Sequence, residues 1–255
     1  MKTSNKIIDK FYSVIFIMVF IIIWQIAASK ELINTFHFSS PLEIIQDLKL
    51  LFQTGEIWPH INATFGVSLI GLVYGTVSGV VIAFLFGNFK VLPKIFDPIL
   101  VGLYGLPKLA LGPLFIIWFG IGIQAKIFMS TIMVFFLVFF NAYAGFRDVD
   151  VDLINTLKIM GASKLQIILK VTLPSCVPWI AASLRAGAGS AVMGTIVGEY
   201  LGSNKGLGWM VQSAGGVYNI TRVLSCIFIL LFLMSLIDGM LKLMEKRILS
   251  WRQEN

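Results

Sequence analysis

Long apolar runs separated by short polar segments make up most of this sequence. Six runs approach or exceed the roughly 20 residues that a helix needs to cross a hydrocarbon core. The third run is irregular, because three prolines, several glycines and a lysine interrupt it. The pattern predicts an all-α membrane protein with six spans, at residues 12–29, 61–87, 98–121, 127–144, 179–200 and 223–243.

Two polar segments between the runs are long enough to form structure of their own. The stretch SSPLEIIQDLKLLFQTG predicts a capped amphipathic helix that starts near Pro41 and lies at the membrane surface. The other segment is a charged insert at residues 145–178. The first apolar run resembles a signal peptide in its flanks, but its length and the later runs favour a retained span.

The charged insert contains NTLKIMGASKLQIILKVTLP, residues 155–174, in which a glycine separates two amphipathic helical patterns. Gly161 reaches positive φ freely, and Ser163 is placed to cap the second helix. Pro174 is expected to end that helix. Spacing alone leaves two interpretations open, a knob for a peripheral partner or an ordinary interfacial loop.

Small residues recur at four-residue spacing in the second and fifth runs. Such spacing lets helices approach closely in lipid, where no hydrophobic force drives association. We expect both spans to use these faces in a packed bundle. The two stripes are Gly71, Gly75 and Gly79 in the second span, and Ala186, Ser190, Gly194 and Gly198 in the fifth.

Composition supports the membrane assignment and indicates an orientation. Of the 255 residues, 57% are hydrophobic and 13% are charged, with a mean hydropathy of +0.88; a soluble domain carries about a quarter charged residues. The net charge is +7, but the basic residues are scattered between apolar runs and form no patch for nucleic acid. Most of them fall on one side, which predicts that both termini and the insert face the cytosol.

No motif for catalysis or metal binding accompanies the predicted spans. The sequence contains no G-x-x-x-x-G-K-[ST], H-E-x-x-H or G-x-S-x-G, and His37 and His60 form no ligand pair. Cys176 and Cys226 are far apart and are interpreted as small hydrophobic residues. We therefore expect a chain that is not an enzyme, with any energy source in another subunit.

The segment GASKLQIILKVTLPSCVPWIAASLR resembles the cytoplasmic loop of binding-protein-dependent ABC transporter permeases. That loop has the pattern E-A-A, three residues, G, nine residues, then I-x-L-P. Gly161 and residues 171–174 match it, whereas Asn155, Thr156 and Leu157 stand in place of E-A-A. The segments GLPKLALGPLFIIWFGIG, NAYAGFRDVD and VGEYLGSNKGLGWM resemble the subgroup that imports sulfonates, taurine, nitrate and related solutes. Riboflavin and thiamine-precursor importers are near this subgroup.

The resemblance, over roughly residues 60–250, implies a six-helix bundle of the MetI-like type I fold. It implies one permease domain over residues 1–255, with a core at about 60–245 and a cytosolic coupling loop at 145–178. The implied residues of this ATPase-coupling loop are Asn155, Thr156, Leu157, Gly161, Ala162, Ser163, Gln166, Leu173 and Pro174.

The same resemblance implies that this chain lies in the bacterial cytoplasmic membrane and works with several partners. They are two cytosolic ABC ATPase subunits, a second permease (another copy in a homodimer, or a sister chain), and an extracellular or periplasmic substrate-binding protein. ATP and Mg would bind to the ATPase, so no cofactor or metal is expected in this chain.

Candidate pathway residues lie in the third and fifth runs. Pro107 and Pro113 are expected to break the third span, and broken helix in a membrane lines a cavity or is buried in protein. Lys108, between them, either serves an anionic solute, or it snorkels or binds backbone carbonyls. Glu199, at the outer end of the fifth span, belongs to an outer gate or is an interfacial anchor. The segment GLGW, residues 206–209, predicts a re-entrant turn.

Other function classes stay open on the residues alone. A self-contained channel or secondary carrier would need internal repeats or coupling-ion sites, which the sequence does not show. A membrane-embedded enzyme would need a catalytic constellation. For an importer permease, a sulfonate-like anion is the expected solute, and a vitamin or pyrimidine heterocycle is the alternative.

Overall fold

A computed structural model describes the backbone of residues 2–89 and 91–250, and the side chains from residue 11 onward within those ranges. All regular secondary structure in this part of the chain is helical and none of it is a strand, in agreement with the all-α prediction. A 3₁₀ turn (Lys108–Leu111) and a π-helical turn (Ile168–Thr172) accompany the α-helices. These are α1 (Lys2–Ser29), α2 (Thr35–Phe38), α3 (Pro41–Gln53), α4 (Ile57–Asn88), α5 (Val91–Gly105), α6 (Gly112–Phe119), α7 (Ile123–Arg147), α8 (Val151–Ile159), α9 (Lys164–Ile167), α10 (Leu173–Gly202), α11 (Leu207–Gly216) and α12 (Ile220–Ile248).

Five helical segments of the described chain are long and apolar enough to cross a membrane. α5 and the segment Lys108–Phe119 form a sixth candidate, a pair bent by 89° at the break between them. The predicted six spans, with the third irregular, are confirmed on this count. The helices run past the predicted bounds, as α4 does at both ends, because helical hydrogen bonding continues after the apolar run has ended.

One compact unit comprises residues 1–60 and 210–230. Its predicted amphipathic helix is α3, in which Pro41 occupies the first turn and the Ser40 side chain caps the N-terminus. The predicted helix start is confirmed. Two ion pairs hold the start of α12 in this unit, Arg222–Asp47 at 2.9 Å and Arg222–Glu56 at 3.0 Å.

The other compact unit comprises residues 61–209 and 231–255, of which those up to 250 are described. α7 lies at its centre, in contact with glycines of both α4 and α10. A Cβ on Gly75 would lie 2.5 Å from the Val134 Cβ, and a Cβ on Gly194 would lie 2.8 Å from the Ser130 Cα. The predicted close packing through glycines is confirmed, with α7 as the shared partner.

The packing face of α10 departs from the predicted stripe at one end. Ala186 is exposed, whereas its neighbour Gly187 is buried and faces Val134 of α7. An α-helix turns about 100° per residue, so a strict four-residue spacing drifts by about 40° at each step. Ala186 therefore lies about 120° around the helix from Gly198, and Gly187 lies within about 20° of it. The stripe that packs begins at Gly187.

Apolar side chains fill the space around α7. Phe139 is fully buried, with its ring 5.2 Å from Phe86 in an edge-on contact and 5.8 Å from Tyr143 in a stacked one. Cys176 lies in the same cluster. Cys176 and Cys226 are both buried and unpaired, which agrees with their interpretation as small hydrophobic residues.

The second helix of the insert does not end at Pro174, and this prediction was wrong. α9 passes through the π-helical turn into α10, so that residues 164–202 form one helical run. A proline removes a backbone donor and crowds the turn before it, and a wider π turn at that point accommodates the proline without ending the helix. The predicted boundary between the insert and the fifth span, at residues 178–179, is therefore absent.

Candidate functional site

The charged insert begins with α8, which ends at Gly161 in a Schellman motif. Gly161 has φ +81°, which confirms the predicted positive φ. Its N–H donates to the Lys158 carbonyl at 3.0 Å, and the Ala162 N–H donates to the Leu157 carbonyl at 2.9 Å. These two bonds satisfy carbonyls that a helix end leaves free. A residue with a side chain would be strained at this φ.

α9 begins with a complete capping box. The Ser163 hydroxyl accepts from the Gln166 N–H at 3.3 Å, and the Gln166 side-chain oxygen accepts from the Ser163 N–H at 2.8 Å. Two backbone donors are satisfied reciprocally in this way. The predicted cap at Ser163 is confirmed, and the turn between α8 and α9 is held by bonds within the insert itself.

The tip of the insert exposes large apolar side chains on both sides of its turn. Ile159 and Met160 are 88% and 77% exposed immediately before Gly161, and Leu165 is 65% exposed after it. An exposed apolar cluster with charged residues around it is typical of a surface that contacts another protein. The charged neighbours are Asp148, Asp150, Asp152, Lys158, Lys164 and Lys170.

The residues that stand in place of E-A-A lie along α8. Asn155 and Thr156 are exposed, and Leu157 is half-buried. The Thr156 hydroxyl donates to the Asp152 carbonyl at 2.8 Å, within the same helix. Asn155 has no charge, so α8 offers an amide where the family pattern has a carboxylate. At the other end of the predicted loop, Leu173 and Pro174 are half-buried in the helical run.

Lys108 lies at the break between α5 and α6. Its ammonium group donates to the Tyr104 carbonyl at 2.8 Å, one of the carbonyls that the end of α5 leaves without a helical partner. The same group lies 4.5 Å from the centre of the Tyr104 ring and 5.2 Å from that of Phe136. These contacts match the alternative in which Lys108 binds a backbone carbonyl. Its role toward a solute stays a prediction.

The two flanking prolines take different positions at this break. Pro107 precedes the 3₁₀ turn with extended backbone angles, and Pro113 occupies the first turn of α6. The first turn of a helix tolerates proline because the N–H at that point has no helical acceptor. Pro107 therefore interrupts the span, whereas Pro113 starts its second half.

Glu199, near the end of α10, is fully buried. The Thr64 hydroxyl of α4 lies 2.8 and 3.0 Å from the two carboxylate oxygens and donates to them. The Gly208 N–H donates to the same carboxylate at 2.8 Å, and the Leu207 N–H donates to the Thr64 oxygen at 2.8 Å. The interpretation of Glu199 as an interfacial anchor does not match this burial; its role as a gate stays a prediction.

The segment around GLGW is more helical than the sequence predicted. α11 begins at Leu207, and the irregular backbone is confined to residues 203–206 between α10 and α11. Gly206, Leu207 and Gly208 are buried, as irregular backbone close to a membrane span requires.

Sequence reasoning missed the partners of Glu199 and also an ion pair between α10 and α12. The Arg185 guanidinium donates two hydrogen bonds to the Asp238 carboxylate, of 2.5 and 3.2 Å. Its Nη1 atom also lies 3.8 Å from the Glu245 carboxylate. Charges inside apolar spans pair with one another, so each lone charge in a predicted span was a signal that a partner existed. Which two residues pair depends on helix packing. Thr64, an uncharged residue in an apolar run, left no such signal.

The described residues hold no cluster of His, Cys, Asp or Glu that could bind a metal ion. The candidate functional features are the exposed apolar tip of the insert, the break in the third span at Pro107, and the buried hydrogen-bonded cluster around Glu199. A model of the family described as "Binding-protein-dependent transport system inner membrane component" matches residues 75–250. The chain belongs to this family.

Curated relatives support the assignment over most of the chain. The SsuC protein of Bacillus subtilis (strain 168), named for aliphatic sulfonates transport, is 32% identical over 92% of this chain and 85% of its own length. The formylaminopyrimidine transport permease protein ThiX of Halalkalibacterium halodurans is 30% identical over 94% of this chain and 95% of its own length.

The fold has a counterpart of known structure. The MetNI methionine ABC transporter, in an inward-facing conformation, contains a chain that matches with a TM-score of 0.61 and 22% identity. The match covers 75% of this chain and 94% of the other. The MetI-like fold implied by the sequence is therefore confirmed.

Family membership decides between the classes that the sequence had left open. The chain is a multi-pass permease of an ABC importer in the inner membrane, and its family is one of transporters and not of catalytic enzymes. The resemblance to binding-protein-dependent permeases is confirmed, and relatives named for aliphatic sulfonates and taurine transport match most of the chain.

Proposed function

We propose that this permease forms the pathway of an ATP-driven importer of sulfonate-like anions, with the insert as its contact to a cytosolic ATPase. One observation carries the proposal: the α8–Gly161–α9 insert presents an apolar tip and continues into a membrane span without a loop. A partner that binds this tip would also contact Leu165, which lies on the helical run of residues 164–202, and would act on α10 through that run.

The assembly follows from what this chain contains and lacks. The sequence has no nucleotide-binding motif, so ATP and Mg bind to two cytosolic ATPase subunits. A second copy of this single-domain permease completes the pathway, and an extracellular binding protein delivers the solute, as the family description supports. Both termini lie in the cytosol with the insert. ATP drives transport because closure of the ATPase subunits favours one permease state over the other.

The first experiment compares two glycine variants of the same geometry. Gly161 and Gly55 both have positive φ, +81° and +74°, and a Cβ on either would meet no atom within 4 Å. Valine at either position is strained, by about 1–2 kcal/mol or more. Only Gly161→Val distorts the insert. Binding of the detergent-solubilised permease to the ATPase encoded beside it is then measured for both variants and the wild type.

We expect Gly161→Val to weaken ATPase binding by about tenfold, because about 1.4 kcal/mol of this strain would oppose the bound shape of the insert. Gly55→Val should bind as the wild type does. Equal binding by all three proteins would overturn the docking role of the insert. Failure of the wild type to bind any ATPase would favour a self-contained channel or carrier.

The solute is tested by uptake with the intact importer. The SsuC relative is named for aliphatic sulfonates and ThiX for formylaminopyrimidine, so labelled taurine and a labelled formylaminopyrimidine are supplied separately to cells that carry the importer and its binding protein. We expect ATP-dependent uptake of the sulfonate. Uptake of the pyrimidine alone would overturn the solute assignment and leave the importer assignment intact.

Lys108 provides a second test of an anionic solute. Lys108→Arg keeps the positive charge and Lys108→Met removes it. If the charge serves the anion, the methionine variant should lose most sulfonate uptake, and the arginine variant should keep it. Equal uptake by both variants would leave Lys108 with its structural contact to Tyr104 alone.

A further inference from the structure

The carboxylate of Glu199 is placed where a charge is unfavourable unless its hydrogen bonds are complete. Its side chain is fully buried at the end of a membrane span, and a buried carboxylate without partners costs several kcal/mol. Its partners are the Thr64 hydroxyl and the Gly208 N–H. The first belongs to α4 and the second to the start of α11, so one carboxylate joins three helices.

Thr64 extends the same chain of hydrogen bonds. While its hydroxyl donates to Glu199, its oxygen accepts from the Leu207 N–H at 2.8 Å. The first two N–H groups of α11 are thereby satisfied by side chains of α4 and α10. Helix starts leave such donors without partners, and side-chain oxygens on other helices satisfy them here.

The backbone next to the carboxylate is shaped to admit it. Gly206 has φ +118°, and a Cβ there would overlap the Glu199 carboxylate. A Cβ on Gly208 would lie 2.8 Å from the Ile196 carbonyl oxygen and 2.9 Å from Glu199 Oε2. The two glycines that flank Leu207, one on each side, therefore let the backbone pass against a fully buried carboxylate.

A second contact holds the other end of the break between α10 and α11. The Lys126 ammonium of α7 donates to the Ser203 hydroxyl at 2.9 Å, and that hydroxyl donates to the Lys205 carbonyl at 2.6 Å. Residues 203–208 are thus tied at one end to α7 and at the other end to α4.

The helix that carries Glu199 also carries the insert. Residues 164–202 form one helical run, so Glu199 lies on the order of 50 Å from the capped start of α9. A continuous helix transmits a displacement along its length, and the π-helical turn and Pro178 inside α10 are positions where this one can bend.

We propose that Glu199 is a positioning residue for transport, whose carboxylate holds residues 203–208 against α4 and releases them when the insert moves. The closed cluster seen here is one of two arrangements. In the other arrangement Glu199 no longer contacts Thr64 and Gly208, and the end of the pathway opposite to the insert is open. This inference rests on the proposed function, because ATP-driven movement of the insert is what shifts the equilibrium between the arrangements.

The test uses a matched pair of substitutions at Thr64 in the full complex of permease, ATPase and binding protein in proteoliposomes. Thr64→Val keeps the shape and removes the hydroxyl; Thr64→Ser keeps the hydroxyl. ATP hydrolysis and solute transport are measured on the same vesicles, with and without the binding protein. The measured quantity is solute transported per ATP hydrolysed, together with hydrolysis in the absence of the binding protein.

For Thr64→Val we expect about a tenfold fall in transport per ATP and a rise in hydrolysis without the binding protein, as for the loss of one hydrogen bond to a charged group. Thr64→Ser should match the wild type. Ser203→Ala, which removes the contact with Lys126, should change both quantities in the same direction by a smaller factor. This milder variant provides a readout even if Thr64→Val assembles poorly.

Two results would overturn the inference, and they differ from failure of the proposed function. A purely structural role would lower the yield of the valine complex and leave its transport per ATP equal to that of the serine variant. Unchanged ratios in Thr64→Val and Ser203→Ala would exclude the positioning role. If the wild-type complex shows no ATP-dependent transport, the proposed function fails first, and this inference fails with it.

Discussion

The insert and the Glu199 cluster are the two ends of one helical run, and they are built in opposite ways. The insert is exposed, and its turn is held by bonds between residues no more than five positions apart, such as Ser163–Gln166. The Glu199 cluster is buried, and Thr64 and Glu199 are 135 positions apart. The bonds that shape the turn of the insert do not depend on how separate helices pack, whereas the Glu199 cluster exists only when the helices have packed.

This difference separates what each region can do. A surface held by local bonds can bind and release a partner without loss of its own structure. A buried cluster of polar groups is costly when partly satisfied, so it favours a few discrete arrangements over continuous movement. The insert therefore suits docking, and the Glu199 cluster suits a position that switches between states.

The largest effect on stability should come from a bulkier side chain placed in the buried Glu199 cluster. In Gly208→Val the new Cβ would lie 2.8 Å from the Ile196 carbonyl oxygen, and relief of such overlap costs about 1–3 kcal/mol, occasionally more. Gly66→Val in α4, where a Cβ meets nothing within 4 Å, is the control. We expect a clear fall in the thermal unfolding midpoint in detergent for Gly208→Val alone. Equal midpoints would show that the cluster is loosely packed.

An intermediate effect on stability is expected when threonine is replaced by alanine, and it should be found in the Glu199 cluster and not in the insert. Thr64→Ala removes a hydroxyl that serves Glu199 and Leu207, at a cost of about 1–3 kcal/mol because buried groups lose a partner. Thr156→Ala removes an exposed hydroxyl that donates only to the Asp152 carbonyl, and should change stability by less than about 0.5 kcal/mol. Denaturation of both variants checks the difference. Similar losses would contradict the contrast between buried and exposed hydrogen bonding.

The smallest effect on the whole protein should come from the cap of the insert. Ser163→Ala removes the hydroxyl of the capping box, at a local cost of about 1 kcal/mol. Because the insert is held by its own bonds, the thermal midpoint should not change. Amide hydrogen exchange should become faster in residues 163–167 and stay unchanged at Thr195, deep in α10. A change at Thr195 would show that the insert and the span unfold together.

Local chemistry explains which predictions the structure confirmed. The six apolar runs, the cap before Pro41, the positive φ of Gly161 and the cap at Ser163 each depend on neighbouring residues. The residues that favour each of these features lie within a few positions of one another, so the preference is visible without the tertiary fold. The glycines of α4 and α10 were also read correctly as contact positions, since close approach needs small residues wherever the partner lies.

Two predictions were wrong because they assumed a regular helix before Pro174 and an exact four-residue repeat along α10. Pro174 ends a regular helix by its own chemistry, but a π turn accommodates it here. The packing stripe on α10 was shifted by one position at Ala186, because the helical period of 3.6 residues differs from four. For Glu199 two alternatives stayed open, because its burial by Thr64 and Gly208 is not visible in neighbouring residues.

The sequence by itself determined the apolar spans, the local geometry of the turn in the insert and the resemblance to importer permeases. Only the tertiary structure decided which helices meet α7, that Arg185 pairs with Asp238, and that Glu199 is enclosed by α4 and the start of α11. The physical reason is the separation, along the sequence, of the residues that interact. Turns, caps and apolar runs depend on interactions within a few residues, whereas the partner of a buried charge depends on how separate helices pack.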